Sequence, residues 1–313
     1  MRWRHWCSLL LSLVSSWAGA QPLAPAVCAD PASTMLWQVQ GAELDNRGVS
    51  VHLLGSIHVG KPDFYPLPAV VDKAFRAADT LVFEVDPRTM ESPTAAATMM
   101  QRAALPPGQT LDKVLDVDTM QSLTAVLGKL GMPVAMVNQM KPWMVTLLLT
   151  TFQVQALGYN PAFGVETYLM GQKPPATAIA ELETLDSQLS LLETLDQSVF
   201  LQYSLQDYEN TTAQMESMVA AWRCGDHANL ANIMLAEPDA GELSAQEQVA
   251  LDALMHRMFD ERNAGMASKI DQFIKTGKGD YFVVVGAGHL LGDQSVVTLL
   301  QQKGYTVKPV RKQ

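Results

Sequence analysis

The chain has 313 residues, a formal net charge of −10 and 48% hydrophobic residues. That length and apolar content allow a large buried core, expected as one large domain with an insertion. An acidic chain without a Lys/Arg cluster argues against nucleic acid and anionic lipid as partners.

The first residues, Met1-Arg2-Trp3-Arg4-His5, are basic; an apolar run over Leu9 to Val14 and then Ala18-Gly19-Ala20 follow. This order is that of a secretory signal peptide over residues 1–20, with cleavage expected after Ala20. The apolar run is too short to span a bilayer, and no later stretch reaches the roughly 18 apolar residues a span needs. Of the three Cys, Cys7 lies in that leader, while Cys28 and Cys224 remain. In an oxidising compartment these two are expected to form a disulfide. A metal site built on Cys224 and His227 lacks a second Cys-x-x-His unit.

After a Pro- and Ala-rich arm over 21–33, Met35 to Gln40 alternates in polarity. Glu43 to Gly48 reads as a turn and Val49 to Gly55 as the second strand of a β-hairpin. Leu67 to Ala78 has helical spacing, and Thr80 to Val85 reads as a strand interrupted by Glu84. Residues 92–171 read as helices broken near Pro106-Pro107, Gly131 to Pro133 and Gly158 to Pro161. Met140 to Leu157 is a Met- and Leu-rich helix whose Met residues suit a core. Ala176 to Glu183 reads as a strand, and Asp186 to Ala236 and Ser244 to Thr276 read as helical. Tyr281 to Val285, a helix over Gln294 to Lys303, and Tyr305 to Val310 close the chain. The expectation is an α/β fold: two β-α-β units bracketing a helical insertion over about 92–276, itself carrying the short strand at about 176–183.

Two apolar runs end alike. One is Val51-His52-Leu53-Leu54-Gly55-Ser56-Ile57-His58; the other is Phe282-Val283-Val284-Val285-Gly286-Ala287-Gly288-His289. A strand ending in Gly-x-x-His puts an imidazole at a carboxyl end, where α/β sheets build their sites. A single such His is more often packed or solvated, but two in matching contexts can be aimed at one point. His227 and His256, in polar helical settings, read as solvated, and a regular strand turns His52 away from His58.

Glu84 lies inside an apolar strand, and a buried carboxylate is costly unless paired or metal-bound. Glu181 and Glu183 end another strand, and alternation lets one of the two face a site; the expectation falls on Glu181, which follows Ile179-Ala180 directly. Glu166 reads as a helix first-turn partner of the dipole. Arg262 suits a carboxylate anchor or an oxyanion partner, as well as a plain surface ion pair. His with carboxylate and open positions is the ligand set of a catalytic Zn, Mn, Co or Fe site. There is no Gly-x-Ser-x-Gly elbow, Walker loop or His-Glu-x-x-His. Gly286-Ala287-Gly288 lacks the third glycine of a dinucleotide turn, since position 291 is Leu.

Gly55-Ser56-Ile57-His58, Phe83-Glu84, Glu181-Leu182-Glu183, Arg262-Asn263 and Gly286 to Gly292 resemble the TraB/GumN family, and most its bacterial GumN branch. The likeness runs from about Leu36 to Val310, and the paired Gly-x-x-His motifs are its most specific part. That family includes the animal TIKI metal-dependent proteases and is similar in fold to erythromycin esterase and ChaN-like proteins. The resemblance implies His58 and His289 as metal ligands or catalytic His. It implies Glu84 as ligand or general base, with Glu181 and Arg262 in support.

The expected function is therefore a periplasmic or secreted divalent-metal-dependent hydrolase acting on a peptide or small envelope substrate. Its metal would be held by His58, His289 and Glu84, with Glu84, Glu181 and Arg262 as catalytic residues. Mn or Co suits mixed nitrogen and oxygen ligands, and Zn is admitted. The rivals are a metal-free esterase using the same His and Glu, and a non-catalytic protein that binds a peptide, haem or an envelope component.

Overall fold

The computed structural model describes residues 28–206, 211–235 and 245–312. The expected signal peptide and most of the arm after it lie outside the described residues. Six strands form one sheet: β1 (Leu36–Gln40), β2 (Val49–Ser56), β3 (Thr80–Phe83), β4 (Ala178–Glu181), β5 (Gly279–Gly286) and β6 (Thr306–Pro309). Their spatial order is β4-β3-β5-β2-β1-β6. Strands β4, β3, β5 and β2 run parallel, and β1 runs antiparallel to both of its neighbours. The chain is thus α/β with a mixed sheet, as its pattern predicts.

Three details differ from the sequence expectation. The hairpin connection is a helix, α1 (Ala42–Arg47), closed by Gly48 at φ 63°, a left-handed cap that suits glycine. The two β-α-β units are interlocked, because β5 pairs with both β2 and β3 and so separates the strands of the first unit. The strand inside the helical region is an edge of the same sheet, since β4 pairs with β3.

The centre of the sheet explains the apolar runs. Tyr281 to Val285 of β5 are all buried, as in a parallel strand covered on both faces. Helix α2 (Ala69–Ala77) buries Val71 and Phe75, and the Phe75 ring meets Phe282 edge-on with centroids 5.9 Å apart. Helix α9 (Glu261–Thr276) buries Met266, Ala267, Ile270 and Ile274, one stripe at helical spacing. Its five-residue entry, His256–Asp260, is a π-helical turn.

Between β3 and β5 lie the helices of the long insertion. They include α3 (Pro142–Ala156), α4 (Val165–Gln172), α5 (Leu185–Thr194), α6 (Gln197–Gln206), α7 (Thr211–Cys224) and α8 (His227–Leu235). The apolar helix predicted over Met140 to Leu157 is α3, which buries Trp143, Val145 and Leu149 in satellite cores away from the sheet. Among the described residues no helix is long and apolar enough to cross a membrane. Cys28 and Cys224 form a disulfide across 196 positions, tying the arm to the end of α7. Nearby, His227 is not solvated as its context suggested: its Nε2 lies 2.8 Å from Thr34 O and its ring stacks on Trp37.

Candidate functional site

Four parallel strands end at one edge of the sheet, and each delivers a candidate site residue just past its last residue. Strand β2 leads to His58, β3 to Glu84, β4 to Glu183, and β5 to a 3-10 turn, Ala287–Leu290, that carries His289. The register makes this a convergence: Ser56 pairs with Gly286, and Phe83 pairs with both Val284 and Glu181. Pairing persists beyond β3 and β4, where Glu183 N donates to Glu84 O at 2.7 Å.

The point of convergence lies above Gly286. A Cβ built there would sit 3.3 Å from Glu84 Oε1, 3.5 Å from His58 Nε2 and 3.6 Å from His289 Cδ2. Glycine leaves that space open. The two imidazoles and the carboxylate surround it, with His289 Nε2 3.8 Å from Glu84 Oε1.

Each imidazole is held from behind. His58 Nδ1 lies 2.9 Å from Glu166 Oε1, which also accepts from Ser56 Oγ at 2.5 Å. Glu166 reaches this place because the loop after β2 is clamped to Asn160–Gly164. Gly60 and Asn160 exchange both backbone hydrogen bonds, at 3.1 and 2.9 Å, and Val165 N donates to Ile57 O at 3.1 Å. Side chains at Gly60 and Gly164 would collide with Phe163 O and His58 O, so both positions require glycine for close approach. His289 Nδ1 lies 2.6 Å from Asn263 Oδ1, and Asn263 Nδ2 donates to Gln294 O at 2.9 Å.

Glu84 is tied as firmly. Its Oε1 accepts from Gly286 N at 2.6 Å, and its Oε2 accepts from Arg262 Nη2 at 2.6 Å. Arg262 also donates to Glu183, from Nε at 2.9 Å and from Nη2 at 2.7 Å, and from Nη1 to Met258 O at 3.3 Å. Gln188 Nε2 bridges the two carboxylates, 2.9 Å from Glu183 Oε2 and 3.4 Å from Glu84 Oε2. Arg262 therefore has its donors committed to two carboxylates and a carbonyl.

The electrostatics separate the two His. The Glu166 carboxylate lifts the His58 imidazole to about 9. Solvent reaches 67% of the His58 side chain and screens this pair. Burial pushes His289 down to about 4, Glu84 opposing. For Glu84, burial raises the carboxyl, but His289, His58, Arg262 and the Gly286 N–H together hold it below its usual range. Arg262, whose Nη2 donates to Glu84 Oε2 at 2.6 Å, is the part-buried cation in direct contact with that carboxylate.

Of the residues singled out in the sequence, His58, His289, Glu84 and Arg262 come together. Glu181 turns aside, its Oε2 accepting from Asp86 N at 3.0 Å, and Glu183 takes the place beside Arg262. Among the described residues no three His, Cys, Asp or Glu side chains are gathered closely enough to hold a metal ion. The set His58, His289 and Glu84 thus surrounds one space without forming a closed three-ligand site. Sequence reasoning named Asn263 only within the Arg262-Asn263 motif and gave it no role, passed over Gln188, and read Glu166 only as a dipole partner. The one sequence signal for Glu166 was its place directly after Gly164-Val165.

A profile of the TraB/PrgY/gumN family matches residues 35–309. The uncharacterized protein YbaP of Escherichia coli (strain K12) is 26% identical over 255 residues, covering 80% of this chain and 87% of that protein. Metalloprotease TIKI2 of Xenopus tropicalis is 24% identical over 326 residues, covering 88% of this chain and 60% of that protein. Metalloprotease TIKI1 of Danio rerio is 22% identical, covering 88% of this chain and 63% of that protein. The chain thus spans about three fifths of the TIKI proteins it matches. No solved structure matches. The matched span holds both Gly-x-x-His turns and all four strands that deliver the site, and by it the chain belongs to the TraB/PrgY/gumN family.

Proposed function

We propose that the protein is a divalent-metal-dependent hydrolase of the periplasm or the secreted compartment, acting on peptides. The observation that carries this reading is the open space above Gly286, with His58 Nε2, His289 and Glu84 Oε1 around it. The name metalloprotease borne by the TIKI relatives supports it. For the location, the disulfide between Cys28 and Cys224 and the leader-like first twenty residues are the support.

The donor chemistry fits a metal in part. Each His engages an oxygen through Nδ1, which turns Nε2 to a ligand, the pattern of metal-binding imidazoles; at His58 the ion would have to displace the Nε2 proton that Glu166 favours. His58 and His289 would hold the ion, with Glu84 beside it and open positions left for water and substrate. Mn or Co suits such nitrogen and oxygen donors, and Zn also accepts them. When bound, a divalent ion supplies Lewis-acid activation of a carbonyl and of water. In this reading Glu84 takes and returns the proton; its support is that Gly286 N fixes Oε1 at the edge of the open space while Arg262 pairs with Oε2. Arg262, committed to Glu84 and Glu183, acts by holding the base and not by meeting an oxyanion. Glu181 braces the loop after β3 through Asp86 N.

A second reading is a metal-free hydrolase in which His58 and His289 act directly. The engagement of Glu84 by Arg262 and Gly286 N favours it, since a carboxylate so bound is a poor third ligand. Elemental analysis of the untagged protein, beside a folded His58→Ala/His289→Ala double variant, separates the two. About one transition metal per chain in the parent and none in the variant, with chelator-sensitive peptide cleavage, is the expected result. No metal after incubation with Mn, Co and Zn, or cleavage indifferent to chelator, overturns the metal-dependent reading.

A further inference from the structure

Asn263 stands apart from the charged groups of the site. It is 2% exposed, and both ends of its amide are committed. Gln294 O can only accept, so the end of Asn263 facing it at 2.9 Å is the Nδ2 donor. The end facing His289 Nδ1 at 2.6 Å is therefore the Oδ1 acceptor. An acceptor there requires a proton on Nδ1 of the ring. The amide orientation and the tautomer of His289 are fixed together by one backbone carbonyl, 31 positions away from Asn263.

We infer that Asn263 is a positioning residue that locks His289 in the tautomer protonated at Nδ1, which leaves the lone pair on Nε2, the ring nitrogen 3.8 Å from Glu84 Oε1 beside the space above Gly286. The inference rests on the proposed hydrolase site for its purpose, but its physical content is independent of turnover. Without Asn263, the acceptor remaining beside the ring is Glu84 Oε1, 3.8 Å from Nε2. The proton then moves to Nε2 and the lone pair turns away from the open space. A neutral amide suits this place better than a third carboxylate would, because Glu84 and Glu183 already face Arg262.

The test is a long-range proton–nitrogen NMR correlation on the full secreted chain labelled with nitrogen-15 at His. Spectra are recorded at neutral pH with and without chelator, and His289 is assigned by its loss in His289→Gln. The expected pattern is Nδ1–H in the parent, Nδ1–H again in Asn263→Asp, which keeps an acceptor, and Nε2–H in Asn263→Leu. If Asn263→Leu does not fold, Asn263→Ser, whose oxygen is too short to reach, is read in its place. An Nε2–H pattern in the parent, or Nδ1–H retained once the acceptor is gone, overturns the inference. Absence of peptide cleavage by the parent would instead sink the hydrolase reading and leave the tautomer result standing. On a peptide that is cleaved, Asn263→Leu is expected to lower kcat about tenfold to a hundredfold with KM little changed, and Asn263→Asp to restore part of it.

Discussion

Arg262 Nη2 lies 2.6 Å from Glu84 Oε2 although 178 residues separate the two in the chain. The same nitrogen lies 2.7 Å from Glu183 Oε2, so one guanidinium fastens the ends of β3 and β4 to helix α9. All three side chains are 15% exposed or less, so water does little to screen them.

Removing the cation leaves two carboxylates facing each other with only Gln188 between them. Arg262→Ala is expected to destabilise the fold by about 3–5 kcal/mol, the usual cost of stranding buried charge. Arg262→Lys should recover part of this, because one ammonium cannot serve both carboxylates with a planar fork. Urea denaturation of the three proteins reads the difference. A midpoint for Arg262→Ala equal to that of the parent would show that the pair carries no net stability.

Gly286 offers a cleaner separation of fold from chemistry. Its backbone, at φ −50° and ψ 137°, lies where any residue can go. An added Cβ sits 3.3 Å from Glu84 Oε1, a tight contact with a carboxylate held by Arg262 and Gly286 N, so Gly286→Ala should fold with a modestly lowered melting temperature. The methyl would fill the space among His58, Glu84 and His289. Metal retention and peptide cleavage should therefore fall together, which equilibrium dialysis and a cleavage assay measure. Undiminished metal binding in a folded Gly286→Ala protein would place the metal elsewhere.

Much of this site can be read in the sequence, and the reason is topological. Period-2 and buried-strand patterns locate β2, β3 and β5, and parallel strands must end together, so Gly-x-x-His and Phe83-Glu84 fall at one edge. The choice between Glu181 and Glu183 cannot be read that way. Alternation predicts that one of them faces the site, but pairing of β3 and β4 continues past their ends, and the chain there bends around Leu182. Glu166, Gln188 and Asn263 are placed by tertiary packing of helices whose own periodicity is silent about their polar faces. The interlocking of the two β-α-β units is likewise invisible locally, because strand order depends on which neighbour β5 finds and not on its composition.

A second charged cluster governs acid stability away from the site. Glu193 on α5 accepts from Arg102 Nε at 2.9 Å and from Lys141 Nζ at 2.6 Å, joining three helical segments. The Arg102 and Lys141 hydrogen bonds hold its carboxyl below the usual range. A depressed folded-state value contributes stability above the unfolded value of about 4.3, and that stability is lost as pH falls through the folded value. Glu193→Gln should therefore cost about 1–2 kcal/mol at pH 7, the groups being only partly buried. The gap from the parent should close below about pH 4. Denaturation midpoints across pH 3–8 test this, and a gap that persists unchanged at low pH would contradict it.

The disulfide between Cys28 and Cys224 acts on stability more than on chemistry. It closes a loop across 196 positions, so its loss frees a long stretch of the unfolded chain, and its removal is expected to cost about 2–5 kcal/mol. The folded site should survive that loss. Next to Cys224, Trp222 Nε1 donates to Gly55 O at 2.9 Å, which keeps α7 on the strand that delivers His58. Ser33 Oγ donates to Gly225 O at 2.7 Å and His227 Nε2 meets Thr34 O at 2.8 Å, so the arm stays attached by hydrogen bonds. The Cys28→Ser/Cys224→Ser variant should thus melt at lower temperature and, under the proposed function, match the parent in metal binding at 25 °C. Reductant should lower the melting temperature of the parent towards that of the variant and leave the variant unmoved. A variant that melts with the parent would mean that these hydrogen bonds alone hold the arm, and a folded variant that loses its metal would mean that the disulfide also shapes the site.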